Sequence, residues 1–245
     1  QLCQSLDNPH QLFPVLRGLW QCYNVRGEYV TAHALGEQLL TLAEQVQDAA
    51  MLVAAHRALG QMLFYAGAVA EAHTHFAQGI ALYDAQPHRA STFLYGEDAG
   101  VVCRSFAART LWFLGYPDQG LAQSQQAVTL AQQRAHPLSL DYALRFAAMF
   151  HQFRREVRVA QERAEASIRL ATEQGFPYWI AFGTIVRGWA LTHQGQAQAG
   201  IEQIHQGLTA WRATGAEIQL PPFLALLAEA HGTLGEPEAG LAVLA

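Results

Sequence analysis

One short joint returns six times along this chain at a nearly fixed spacing. "VRGEYVTAHA" turns at Gly27, "YAGAVAEAHT" at Gly67, "FLGYPDQGLA" at Gly115, "FRREVRVAQE" at Arg155, "HQGQAQAGIE" at Gly195 and "TLGEPEAGLA" at Gly235. The intervals are 40, 48, 40, 40 and 40 residues. A period of this size marks a stack of like supersecondary units, each too small to bury its apolar face alone. The columns around the joint agree. Five residues after it stand Ala32, Ala72, Gly120, Ala160, Gly200 and Gly240, all small. Seven residues before it stand Trp20, Gly60, Ala108, Ala148, Gly188 and Ala228, of which all but Trp20 are small. Small residues on both sides of a tight turn let two antiparallel helices approach closely. Fifteen residues after the joint, Leu42, Leu82, Leu130 and Leu170 read as a core leucine of the second helix.

Proline punctuates the same frame. Pro9, Pro137 and Pro177 share the column where a first helix should begin, and Pro117 and Pro237 the column where a second should. Proline suits the first helical position because its missing N–H would have had no partner there. The spacing predicts first helices at 9–25, 49–66, 99–114, 137–153, 177–194 and 220–234. Second helices are predicted at 28–47, 69–84, 117–134, 157–174 and 197–214, and no segment sustains strand alternation. The chain is thus expected to be one repeat domain over 1–245, with 1–7 the end of a preceding helix. Its repeats fall at about 9–48, 49–98 (with an insertion at 85–98), 99–136, 137–176, 177–216 and a truncated 217–245. Both ends fall inside a repeat. Stable arrays need capping units with polar outer faces, so the expectation is a fragment of a longer protein or an array that caps itself as a homo-oligomer.

Composition narrows the function. Half of the 245 residues are hydrophobic and 14% are charged, which argues against disorder. A net charge of −5 argues against a nucleic-acid surface. All fifteen basic residues are arginine, which excludes a phosphate-loop lysine, a Schiff base and a lysine general base. Cys3, Cys22 and Cys103 lack C-x-x-C spacing and read as buried free thiols in a cytoplasmic protein. The longest apolar runs are far too short for a membrane span. His73 and His75 stand two apart, so a helix points them in different directions and they should not share a metal. There is no H-E-x-x-H, no G-x-S-x-G and no glycine loop after a strand; no enzyme, metal or cofactor is expected. Arg154, Arg155, Arg158, Arg163 and Arg169 read as a solvated helix face laced with Arg–Glu pairs rather than as a basic patch.

The small–turn–small pattern of "RALGQMLFYAGAVAEAHTHFAQGIAL" (57–82) resembles the tetratricopeptide repeat, with Gly60, Gly67, Ala72, Phe76 and Gly79 on that family's small and aromatic positions. The period of 40 exceeds the usual 34 and the first helices mostly lack the family's tryptophan. "LWFLGYPDQGLAQSQQAVTLA" and "GLTAWRATGAEI" resemble the helical region downstream of the ATPase module in large bacterial signalling regulators, some of which carry class III adenylate cyclase domains. The resemblance implies an all-α, right-handed superhelical solenoid of about six antiparallel helix pairs. It further implies a non-enzymatic protein-interaction or regulatory module whose first helices line a concave face.

On those helices, the columns ten, six and three residues before the joint give a strip of Arg17 with Gln21, Arg57 with Gln61, then Arg109 and Arg145, flanked by Asn24, Phe64, Trp112 and Trp189. Arginine forks pair with carboxylates, and aromatic rings supply apolar area, so this strip suits a protein partner or an acidic peptide. The competing expectation is that the arginine stems pack between repeats and their heads pair with neighbouring acids. Glu97 and Asp98, at the end of the insertion, could fold over and pair with Arg109 as an internal stand-in for a ligand carboxylate. Two other readings stay open: a small-molecule effector domain with a pocket around Trp112, Phe113 and Trp189, and a structural oligomerisation arm.

Overall fold

The computed structural model describes residues 8–84 and 96–245. Of the predicted features, the helix end at 1–7 and residues 85–95 of the insertion lie outside the described residues. Twelve α-helices and no strand occur among the described residues: α1 (Pro9–Val25), α2 (Tyr29–Val46), α3 (Ala49–Tyr65), α4 (Val69–Leu82), α5 (Ala99–Phe113), α6 (Pro117–Arg134), α7 (Pro137–Phe153), α8 (Val157–Gln174), α9 (Pro177–His193), α10 (Ala197–Ala213), α11 (Leu220–Leu234) and α12 (Pro237–Leu244). All eleven predicted helices form, within two residues at each end.

The helix starts follow from capping chemistry. Asn8, Asp48 and Asp98 each accept a backbone N–H of the first turn, from His10 (3.0 Å), Met51 (3.0 Å) and Val101 (3.1 Å). Pro9, Pro117, Pro137, Pro177 and Pro237 each begin a helix. The joints close α1, α3, α5, α9 and α11 with a glycine in the left-handed region, for example Gly27 at φ 73° and Gly67 at φ 85°. Arg155 adopts the same conformation at φ 60°, where a β-carbon is crowded.

The chain forms two compact units, residues 1–139 and 140–245. In the first, α1 to α4 pack successively, α4 packs on α5 and α5 on α6, while the first helix α3 also meets α1 and α5. In the second, α9 packs on α8, α10 and α11, α10 on α11, and α11 on α12. The small columns do what their spacing implies. A β-carbon on Gly188 would stand 2.7 Å from the Gly200 carbonyl oxygen, and one on Gly200 would stand 2.6 Å from that of Gly188. The two glycines set the α9–α10 distance by letting backbone touch backbone.

The leucine column behaves differently from its expectation. Leu82 is 40% exposed, and Leu42, Leu130 and Leu170 are only partly buried. The inward stripe of the second helices runs through the positions twelve and sixteen after the joint, including Leu39, Ala43, Ala127, Ala131, Ala171, Gly207 and Trp211. Position fifteen is one residue, about 100°, off that stripe and lies at its margin. The cysteines also divide: Cys103 is buried, and burial pushes its thiol up to about 12, whereas Cys22 is exposed on α1.

Candidate functional site

The first-helix columns bring their polar groups to the interior rather than leaving them open. In the first unit, Arg17 of α1 is buried, lies 4.5 Å over the Trp20 ring and donates to Gln21 Oε1 at 3.1 Å. Arg57 of α3, 2% exposed, sits 5.9 Å from the same indole. Trp20, the one large residue in the otherwise small column, therefore meets two arginines of consecutive first helices. Arg109 of α5 stacks on Phe64 (4.5 Å) and Phe106 (5.2 Å). Asn24 and Gln61 are buried, and Gln21, Phe64 and Trp112 are partly buried. The first-helix arginines of this unit thus lie against aromatic rings and are packed.

The acid at the end of the insertion reaches a different arginine from the one expected. Glu97 pairs with Arg57, not Arg109. Asp98 has partners of its own. It is fully buried, caps α5, accepts from Tyr83 Oη at 2.8 Å and lies 3.3 Å from Arg134 Nε. Its N–H donates to Ser139 Oγ at 2.8 Å. Burial, and then the neighbouring Asp98 carboxylate, push the Tyr83 hydroxyl well above its usual range. Capping commits Asp98 to the start of α5, and Glu97 is the acid that meets the α3 column.

In the second unit, Arg145 of α7 is 4% exposed and enclosed by rings. Its guanidinium carbon lies 4.3 Å from the Tyr142 centroid, 4.7 Å from Phe146, 4.8 Å from Trp179, 5.3 Å from Phe182 and 5.8 Å from Tyr178. Asp141, one turn earlier, is fully buried and held by Ser167 Oγ at 2.6 Å; burial lifts its carboxyl to about 6. Trp189 is wholly buried and its ring faces His193 at 4.6 Å, so it presents no surface. Close by, Arg155 and His193 meet Glu229, the histidine at 2.9 Å. The exposed Arg158–Glu162 pair at 3.7 Å is the solvated lacing expected of α8.

The aromatic box of Arg145 was legible in part. Tyr142 and Phe146 flank it at i−3 and i+1, but Tyr178, Trp179 and Phe182 come from α9, which no local spacing links to α7. The histidines behave as their spacing implies: His73 meets Thr110 at 2.9 Å while His75 meets His56 at 3.0 Å, so the two diverge. Burial lowers both His56, to about 4, and His75. No group of three or more potential metal ligands converges among the described residues. No helix among them is long and apolar enough to cross a membrane.

No family model matches the chain. An uncharacterized protein of Rhizobium meliloti (strain 1021) is 22% identical over 242 residues, covering 98% of this chain but 23% of its own length. The chain therefore spans about a quarter of that relative. Among solved structures, the apo form of RapI superposes with a TM-score of 0.64 at 7% identity, covering 95% of this chain and 94% of RapI. BtubC from P. vanneervenii gives 0.58 at 13% identity, covering 89% of this chain and 88% of BtubC. A Podospora anserina kinesin light chain protein with nearly identical TPR-like repeats gives 0.52 at 17% identity, covering 80% and 93%. The fold is an all-α, TPR-like helical repeat.

Proposed function

We propose that the chain is a non-enzymatic interaction module of a larger bacterial signalling protein, and that acidic segments of a protein partner engage its first-helix arginines. The observation that carries this reading is the Arg57–Glu97 pair: the chain itself lays a carboxylate on the arginine column. A carboxylate from outside could exchange with it, because Glu97 comes from a segment beside the repeats rather than from their core. TPR-like repeats are a fold class whose stacked helices offer extended binding faces, and the arginine–aromatic composition suits an acidic chain. The same reading places the protein in the cytoplasm.

The test is fluorescence anisotropy with a labelled, end-blocked decapeptide of alternating Glu and Ala, against its Gln counterpart. The acidic peptide should bind and the Gln peptide should not. Glu97→Gln should tighten binding several-fold by releasing Arg57, and added salt should weaken it. Equal binding of the two peptides, or none, overturns the reading.

A further inference from the structure

Two open clefts in the first unit are built from the same repeat columns. One, of about 440 Å³, lies between α1 and α2; the other, of about 470 Å³, lies between α5 and α6. Their second-helix walls stand at the same distances after Gly27 and Gly115, and include "QLLTLAEQ" (38–45) and "QAVTLAQQ" (126–133). Gln38, Leu42 and Gln45 line the first cleft, and Gln126, Leu130 and Gln133 the second. Periodicity alone does not account for the match. In the two glutamine columns α8 has Ala166 and Glu173, and α10 has Gln206 and Ala213. The clefts also give the leucines at the margin of the core a place, since Leu42 and Leu130 are partly buried on their walls.

Each cleft carries one charge that the other lacks. Glu37 stands on the wall of the first, where the second has Gln125. Arg104 stands in the second, where the first has Leu16. Arg104 Nη1 donates to Gln126 Oε1 at 2.7 Å, which holds the cation against the α6 wall. Glu37 is exposed, and His33 lies 3.9 Å from it.

We propose that a second copy of this chain docks on this face in a two-fold dimer, the α1–α2 cleft of one copy against the α5–α6 cleft of the other. Three features fit a second copy. A glutamine amide carries both donors and an acceptor, so a glutamine-lined wall is complementary to its own like. The leucine of each cleft gives apolar area to bury. The single charges are opposite, so this pairing sets Glu37 of one copy by Arg104 of the other, and the two-fold axis makes that contact twice. Pairing each cleft with its own kind would instead set Glu on Glu and Arg on Arg. The face uses neither Arg57 nor Glu97, so its failure and that of the peptide reading are distinguishable.

The test measures mass in solution by sedimentation equilibrium, for the full chain over a dilution series. The native protein should show a reversible monomer–dimer equilibrium. Glu37→Arg sets arginine against Arg104 twice, Arg104→Glu sets glutamate against Glu37 twice, and each should weaken the dimer at least about tenfold. An equimolar mixture of the two variants regains both opposite-charge contacts and should dimerise as the native protein does. Arg104→Gln serves if circular dichroism shows the Glu variant unfolded; the mixture then regains one contact and should dimerise more tightly than Glu37→Arg alone. A native protein that stays monomeric overturns the proposal. So does a dimer that neither variant weakens, the result expected if copies meet through their ends, and so does a weakened dimer that the mixture does not restore.

Discussion

Arg57 and Arg145 stand at equivalent repeat positions, are equally buried, and differ only in what meets them. In the first unit the insertion supplies Glu97, and the arginine closes into an ion pair. In the second there is no insertion, and the arginine is enclosed by five aromatic rings. A repeat thus fixes where a side chain stands, while its chemistry is set by non-repeated neighbours. The same lesson appears at the joints. Five of them relieve the left-handed turn with glycine, and the sixth keeps Arg155, whose head reaches Glu229.

The sharpest way to break the comparison is to remove the acid. Glu97→Ala leaves Arg57 buried without its carboxylate and should cost about 3 kcal/mol in urea unfolding. A cost near zero would mean that the pair is dispensable and the two arginines are alike.

The units should also respond to pH in opposite directions. In the first, burial holds His56 down at about 4 and lowers His75. The unfolded chain therefore binds more protons between about 4 and 6.5, and acidification through that window destabilises this unit. In the second, Asp141 titrates near 6 when folded, well above its unfolded value. Its contribution is fully present below the unfolded value and is lost as pH rises through about 6, so acidification stabilises this unit. Each effect should be on the order of 2 kcal/mol. Hydrogen exchange corrected for intrinsic rates at pH 5 and 7 resolves the two, with His56→Gln and Asp141→Asn flattening their own unit alone. The same slope in both units would sink the contrast.

Smaller effects sharpen it further. Arg145→Met keeps an apolar stem in the aromatic box and removes a charge that forms no ion pair but favours the ionised form of Asp141, so stability should fall by about 1 kcal/mol. A loss as large as that of Glu97→Ala would reveal an ion pair that the box conceals. Smallest of all, Arg155→Gly relieves a left-handed arginine but loses an exposed ion pair, and the two should cancel to within about 0.5 kcal/mol in thermal unfolding.

Helix boundaries, joints and close-packed small residues were legible in the sequence, because capping, left-handed turns and backbone approach act within a few residues or recur at a fixed period. Gly188 and Gly200 could be paired from their columns alone, and Pro117 from its place after Gly115. The arginine column was legible as a column. That its members pack between repeats was one of the two expectations the column raised, and they are buried because a first helix of an array packs on both sides and leaves little of itself open. The marginal leucines were misplaced for a related reason: one residue along a helix is a 100° turn, and the inner stripe is decided by the helices that flank it.

What the sequence determined by itself is therefore the repeat: its period, its helices and the small residues that let them close. These depend on local sterics and backbone hydrogen bonding. Only the tertiary structure decided that Glu97 meets Arg57, that Asp98 turns away to cap a helix, and that α9 completes the ring of aromatics around Arg145. Those outcomes depend on which side chains meet across helices, and charge and burial acquire their energies only once that meeting is fixed.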